Sequence, residues 1–162
     1  MKSLNVGFIQ LLEPRPVGGY LQNGNDALLA DSDRNILMQF FEEGNSKKQF
    51  RDYPIIYYVA HAESPEQAGC MMGGLFHFHI DSKGNVNPCV FLPVSFGNIM
   101  EESFEAIFAR MREAVPRPLH VKCPSLLLEG VIRRELEKTN SMPVPYESIK
   151  AEWDMMYRES KN

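Results

Sequence analysis

Residues 70–89 read CMMGGLFHFHIDSKGNVNPC, and this stretch governs how the rest of the chain is understood. Two cysteines bracket it. Between them LFHFHID (residues 75–81) alternates as a strand does, with Leu75, His77 and His79 on one side and Phe76, Phe78 and Ile80 on the other. Asp81 to Asn85 reads as a turn in which Gly84 supplies a position of positive φ. Residues 86–91 form the return strand and carry Cys89. Antiparallel pairing of this hairpin brings Cys70 and Cys89 near each other. A third cysteine, Cys123, follows in HVKCPSL (residues 120–126).

Downstream of the hairpin, residues 101–114 read as a helix. Phe104, Ile107, Phe108 and Met111 follow the i, i+3, i+4, i+7 rule, and Pro116 and Pro118 end it. A further helix over residues 125–138 starts with Ser125 as its cap and turns Leu128, Val131, Ile132 and Leu136 inward. Pro143 and Pro145 break the chain, and residues 146–160 form a weaker amphipathic helix carried by Ile149, Trp153 and Met156. Upstream, LNVGFIQLL (residues 4–12) reads as a buried strand stopped by Pro14, Pro16 and the Gly18-Gly19 pair. Residues 32–43 read as a helix capped by Ser32, with Ile36, Leu37, Phe40 and Phe41 on one face and Gly44-Asn45 as its stop. PIIYYVA (residues 54–60) is β-branched and aromatic and reads as a second buried strand. Strand, helix, strand is the βαβ pattern of a parallel sheet. One such unit is too small to be a domain, so this piece belongs to something larger. The fold class expected is α/β (α+β).

Composition excludes several classes. Apolar residues at 44% and charged residues at 23% are ordinary globular values. A formal net charge of −4 without a basic cluster argues against nucleic acid, whose phosphates demand Lys and Arg. No apolar run approaches the ~18 residues of a membrane span, so no membrane partner is expected. Glu13 and Arg15 interrupt the N-terminal apolar run, which therefore lacks the shape of a signal peptide, and a cytoplasmic location is expected. Three cysteines is an odd number that suits a disulfide framework poorly. In a reducing compartment, spaced cysteines point to metal or redox chemistry.

An iron–sulfur cluster takes thiolates because soft sulfur suits iron and its charge offsets the metal's. Gly73 and Gly74 let backbone approach such a site without a Cβ, and their N–H groups are placed to bond cluster sulfurs. Gly97 and Asn98 do the same or start the next helix. Three thiolates leave one of four irons without a cysteine, and that iron is either open or takes a ligand from elsewhere. His77 and His79 are candidates, against the plainer reading of strand-face histidines with satisfied hydrogen bonds. Three unrelated buried thiols are another reading of the cysteines. A zinc site is a third, and it would need one histidine to reach four ligands.

The wording GCMMGG, then HIDSKGNVNPC, then FLPVSFGNI before a helix resembles the auxiliary iron–sulfur region of radical S-adenosylmethionine enzymes. That region is the SPASM domain in its longer form and the twitch domain in its shorter one. The segment with Cys123 followed by proline and a helix resembles its closing part, and residues 4–60 are similar to the last strand–helix–strand of the partial (β/α) barrel that precedes it. The resemblance implies three parts: residues 1–66 as the end of the barrel, 67–125 as the cluster domain, and 126–162 as a helical tail. It implies Cys70, Cys89 and Cys123 as ligands of one auxiliary [4Fe–4S] cluster, used for electron transfer or for anchoring substrate. The missing cysteines of the full SPASM set favour the one-cluster twitch form.

One departure from the family pattern limits that reading. No Cys-x3-Cys-x2-Cys run occurs, so the cluster that cleaves S-adenosylmethionine has no ligands here. The chain is expected to be a C-terminal fragment, a split-gene product needing an N-terminal radical half or another subunit, or a remnant. S-adenosylmethionine would enter only with that half, and the chain alone would lack radical activity. Glu13 and Arg15, at the mouth-side end of the first strand, are candidates to face bound cofactor or substrate, a small molecule or a peptide. The plainer reading pairs Arg15 with Glu13. The rival to the whole assignment is a zinc-stabilised, non-catalytic binding module whose docking surface is the strand edge left before Leu4 or after Tyr58.

Overall fold

The computed structural model describes residues 5–15, 17–19 and 28–160. Leu4 and Pro16, which belong to the predicted first strand and its stop, lie outside the described residues.

The N-terminal unit is the expected strand–helix–strand. Strand β1 (Phe8–Leu11), helix α1 (Asp31–Ser46) and strand β2 (Ile55–Tyr58) follow in order, and the strands pair in parallel from Phe8↔Ile55 to Leu11↔Tyr58. Parallel neighbours need a crossover, which α1 provides. The strands are shorter than predicted and only one face of the sheet is covered. Ile56 and Tyr58 are buried, whereas Phe8, Ile55 and Tyr57 face outward and exposed. Among the described residues this sheet has two strands and no barrel is formed.

Helix α1 differs from its prediction at both ends. It starts behind Ala30, whose N–H donates to the Asp33 carboxylate at 3.1 Å, and Ser32 sits inside the helix rather than capping it. Gly44 and Asn45 do not stop the helix; they dock it. A Cβ at Gly44 would run into the Ile56 side chain. Asn45 donates to the Ile56 carbonyl at 2.8 Å and accepts from the Ile56 N–H at 3.0 Å. Of the face predicted to be inward, Ile36 and Phe40 are exposed.

After β2, the short helix α2 (Val59–Ala62) leads to Glu63 and on to Cys70. The hairpin is present but reduced to β3 (His79–Ile80) and β4 (Val86–Asn87), paired antiparallel as His79↔Asn87 and Ile80↔Val86. Its turn is as read: Gly84 has φ +89, and the Asp81 carboxylate accepts from the Lys83 and Asn85 N–H groups. Residues 75–78 are not strand. Gly73 and Gly74 take φ of +66 and +82 and turn the chain, and Gly74 N–H donates to the His77 carbonyl at 2.9 Å.

Strand β5 (Val94–Ser95) pairs in parallel with β6 (Val144–Pro145), which draws the C-terminal third back onto the hairpin. Helix α3 (Phe104–Ala114) begins later than predicted because Ser103 caps it, accepting from Ala106 N–H at 3.3 Å. The helix predicted over 125–138 is two: α4 (Pro124–Leu127) and α5 (Glu129–Thr139), which meet at Leu128. Ser125 is buried inside α4, and Cys123 holds the cap position. Helix α6 (Lys150–Glu159) closes the chain. Its Trp153 and Met156 join Met72, Leu92, Ile107 and Leu119 in one core that spans Cys70 to Met156. Trp153 is fully buried, stands edge-on to Phe96 and Tyr146, and donates its indole N–H to the Ala114 carbonyl at 2.9 Å. No helix among the described residues is long and apolar enough to cross a membrane.

Candidate metal centre

The three cysteines arrive from three separate places. Cys70 forms a two-bond bridge with Leu119, its N–H donating to the Leu119 carbonyl at 2.9 Å and the reverse bond measuring 3.2 Å. That bridge fixes the 119–123 segment beside Cys70 and so delivers Cys123. Cys89 follows β4, where Leu92 N–H folds back onto its carbonyl at 3.1 Å. All three are free thiols, and all three line one cavity of about 710 Å³. They border a shared space. Among the described residues no group of three His, Cys, Asp or Glu side chains could hold a single metal ion.

Each sulfur has a hydrogen-bond partner two residues further on. Met72 N–H bonds to the Cys70 sulfur, Phe91 N–H to Cys89 Sγ at 3.4 Å, and the Ser125 hydroxyl lies 3.2 Å from Cys123 Sγ. The sequence reading assigned such donors to Gly73 and Gly74, and the structure corrects it. Gly73 N–H is spent on the Pro88 carbonyl and Gly74 N–H on His77. Their missing Cβ atoms make room for α3, since a Cβ at Gly73 would lie 2.6 Å from Val115 and one at Gly74 would strike Phe108. Gly97 N–H goes to the Ser95 hydroxyl, and Asn98 ties the hairpin turn by donating to the Lys83 carbonyl.

Burial shapes the electrostatics. It pushes the Cys70 thiol well up, with the Met72 N–H opposing and the nearby Cys123, Glu63 and Cys89 adding to the rise. Cys89 is pushed up to about 11 by burial, against the pull of the Phe91 N–H, and Cys123 and Glu63 push it further. As thiolates these groups are short of positive charge, which is what a bound metal supplies. By donor type and shared cavity, the residues fit an iron–sulfur cluster.

The N-terminal unit lines this cavity as well. Glu13 and Arg15 both line it, and they are paired at 2.9 Å. Glu13 is buried and also accepts from Arg34 at 3.2 Å and from the Tyr58 hydroxyl. Burial raises its pKa, but the bonds from Tyr58, Arg15 and Arg34 outweigh this and hold the carboxyl below its ordinary value. His77 and His79 line the cavity as well, and His77 Nδ1 stands 3.9 Å from the Glu63 carboxylate. Tyr58, Arg34 and Glu63 were missed in the sequence. Tyr58 lies in a strand whose pattern signals only burial, and no spacing marks the other two.

Residues 70–124 match the family model of the SPASM domain, an iron–sulfur cluster-binding domain. The match starts on Cys70 and runs one residue past Cys123, so it contains all three cysteines. No curated protein and no solved structure matches the chain. Over these residues the chain is similar to iron–sulfur cluster-binding domains of the SPASM type.

Proposed function

We propose that this chain supplies the auxiliary cluster of a radical S-adenosylmethionine protein, one [4Fe–4S] centre held by Cys70, Cys89 and Cys123. The observation that carries the proposal is that three free thiols from three segments of a SPASM-type domain line one cavity. When bound, such a cluster passes single electrons and offers an iron to substrate. The chain's own residues do the rest. Met72, Phe91 and Ser125 each hydrogen-bond one sulfur. Leu92 and Phe91 line the same cavity and limit water at the sulfurs. Arg15, joined to Glu13, lines the same cavity, where a small molecule or peptide substrate would sit.

The radical half is assigned to an N-terminal partner or preceding segment, because this sequence holds no Cys-x3-Cys-x2-Cys run. S-adenosylmethionine would bind with that half. The exposed face of Phe8, Ile55 and Tyr57 supports residues 1–66 as the end of a partial (β/α) barrel, since parallel sheets are normally covered on both faces. Residues 67–125 are then the cluster domain and 126–162 the closing helices, in a cytoplasmic protein whose thiols stay reduced.

The test is anaerobic reconstitution of the chain with ferrous iron and sulfide, followed by a visible spectrum and metal analysis. About four irons and matching sulfide per chain are expected, with loading lost in Cys89→Ala. Unchanged iron and sulfide in Cys89→Ala would sink the assignment, and zinc bound without sulfide would replace it with the binding-module reading.

A further inference from the structure

Three thiolates leave one iron of a four-iron cluster to another ligand. Glu63 is the C-terminal cap residue of α2 and lines the cavity that holds Cys70, Cys89 and Cys123. Its negative charge contributes to the raised pKa of both Cys70 and Cys89. Only 25% of its side chain is exposed, and no described residue donates a hydrogen bond to it. His77 Nδ1, at 3.9 Å, is beyond hydrogen-bond distance. Burial accordingly raises the Glu63 pKa, with His77 and Arg15 offsetting it in part. A carboxylate one quarter exposed and without a donor among the described residues has lone pairs free for a cation.

We propose that the Glu63 carboxylate is the fourth ligand of the cluster, completing the set begun by Cys70, Cys89 and Cys123. The proposal rests on the cluster reading above. One carboxylate oxygen donates a lone pair to the fourth iron. No electron is transferred, and a proton present on the carboxyl leaves to solvent. Next to a cluster already carrying three thiolates, a free carboxylate would be repelled. As a ligand it gives the assembly the same net charge that a fourth thiolate would. His77 then acts as a positioning residue that steers the carboxylate, the outer-shell role usual around ligating groups. Oxygen is a harder ligand than sulfur and holds iron less firmly, so this is the ligand a substrate can displace.

The experiment compares the full chain with Glu63→Ala, Glu63→Gln and Glu63→Cys after anaerobic reconstitution. Each is oxidised mildly with ferricyanide, then read by iron count and electron paramagnetic resonance, with far-ultraviolet circular dichroism to establish folding. The unaltered chain and Glu63→Cys are expected to keep all their iron. Glu63→Ala and the isosteric Glu63→Gln are expected to lose about one iron in four and show a three-iron signal. Glu63→Gln keeps the test decisive if Glu63→Ala does not fold. Equal iron retention and equal spectra in the folded variants would overturn the assignment of Glu63 alone, as would loss of one iron from the unaltered chain. Failure of the unaltered chain to take up any cluster would overturn the cluster reading, and this one with it.

Discussion

Glu13→Gln isolates the charge of one buried carboxylate while keeping its shape. The Glu13 side chain is 3% exposed and receives Arg15, Arg34 and Tyr58, and Arg15 is itself only 11% exposed. Removing one member of a buried pair costs about 3–5 kcal/mol, because the other charge is left uncompensated. The amide oxygen still accepts one bond, which returns part of this. Arg34, 36% exposed, adds little because solvent screens it. The expected loss is about 2–4 kcal/mol. At about 2–4 °C per kcal/mol for a chain of this size, Tm should fall by about 5–15 °C. Thermal unfolding at neutral pH measures this, and amide exchange at Tyr58 reports whether β2 opens first.

Acid adds a second arm to that test. The folded pKa of Glu13 lies below its ordinary value of 4.5. Its stabilising contribution is therefore present above the unfolded value and is lost as pH falls through the lower folded value. The gap between Glu13→Gln and the unaltered chain should close on acidification. A gap below about 0.5 kcal/mol at neutral pH, the usual size of a neutral surface change, would refute the reasoning. A gap that does not shrink in acid would refute it too.

Gly74→Ala should destabilise the chain by about 1–3 kcal/mol, since the new Cβ meets Phe108 and the backbone sits at φ +82; the urea midpoint measures it. Trp153→Ala removes a fully buried ring and its bond to Ala114, and a loss of about 3–5 kcal/mol in the same assay is expected. Ser125→Ala should leave the iron count unchanged and make the cluster potential more negative, because one hydrogen bond to sulfur is lost. A redox titration followed by electron paramagnetic resonance checks this, and an unmoved potential would show that the hydroxyl does not act on Cys123.

By itself the sequence determined what depends on neighbours along the chain. The hairpin turn at Gly84, the amphipathic stripes of α3 and α6, and the strand–helix–strand order of the N-terminal unit follow from local φ preference and hydrophobic period. Cysteine spacing, with the wording around it, pointed to the chemistry. Tertiary structure alone decided where side chains meet across the fold. Gly73 and Gly74 read as openings toward a cluster, yet their space is filled by α3. Gly44-Asn45 read as a helix stop, yet it clamps Ile56. Glu63 carries no sequence mark at all and shares a cavity with the thiols only through the tertiary fold. A residue's period and propensity are set by adjacent positions. Its contacts are set by segments tens of residues away, and no local pattern encodes those.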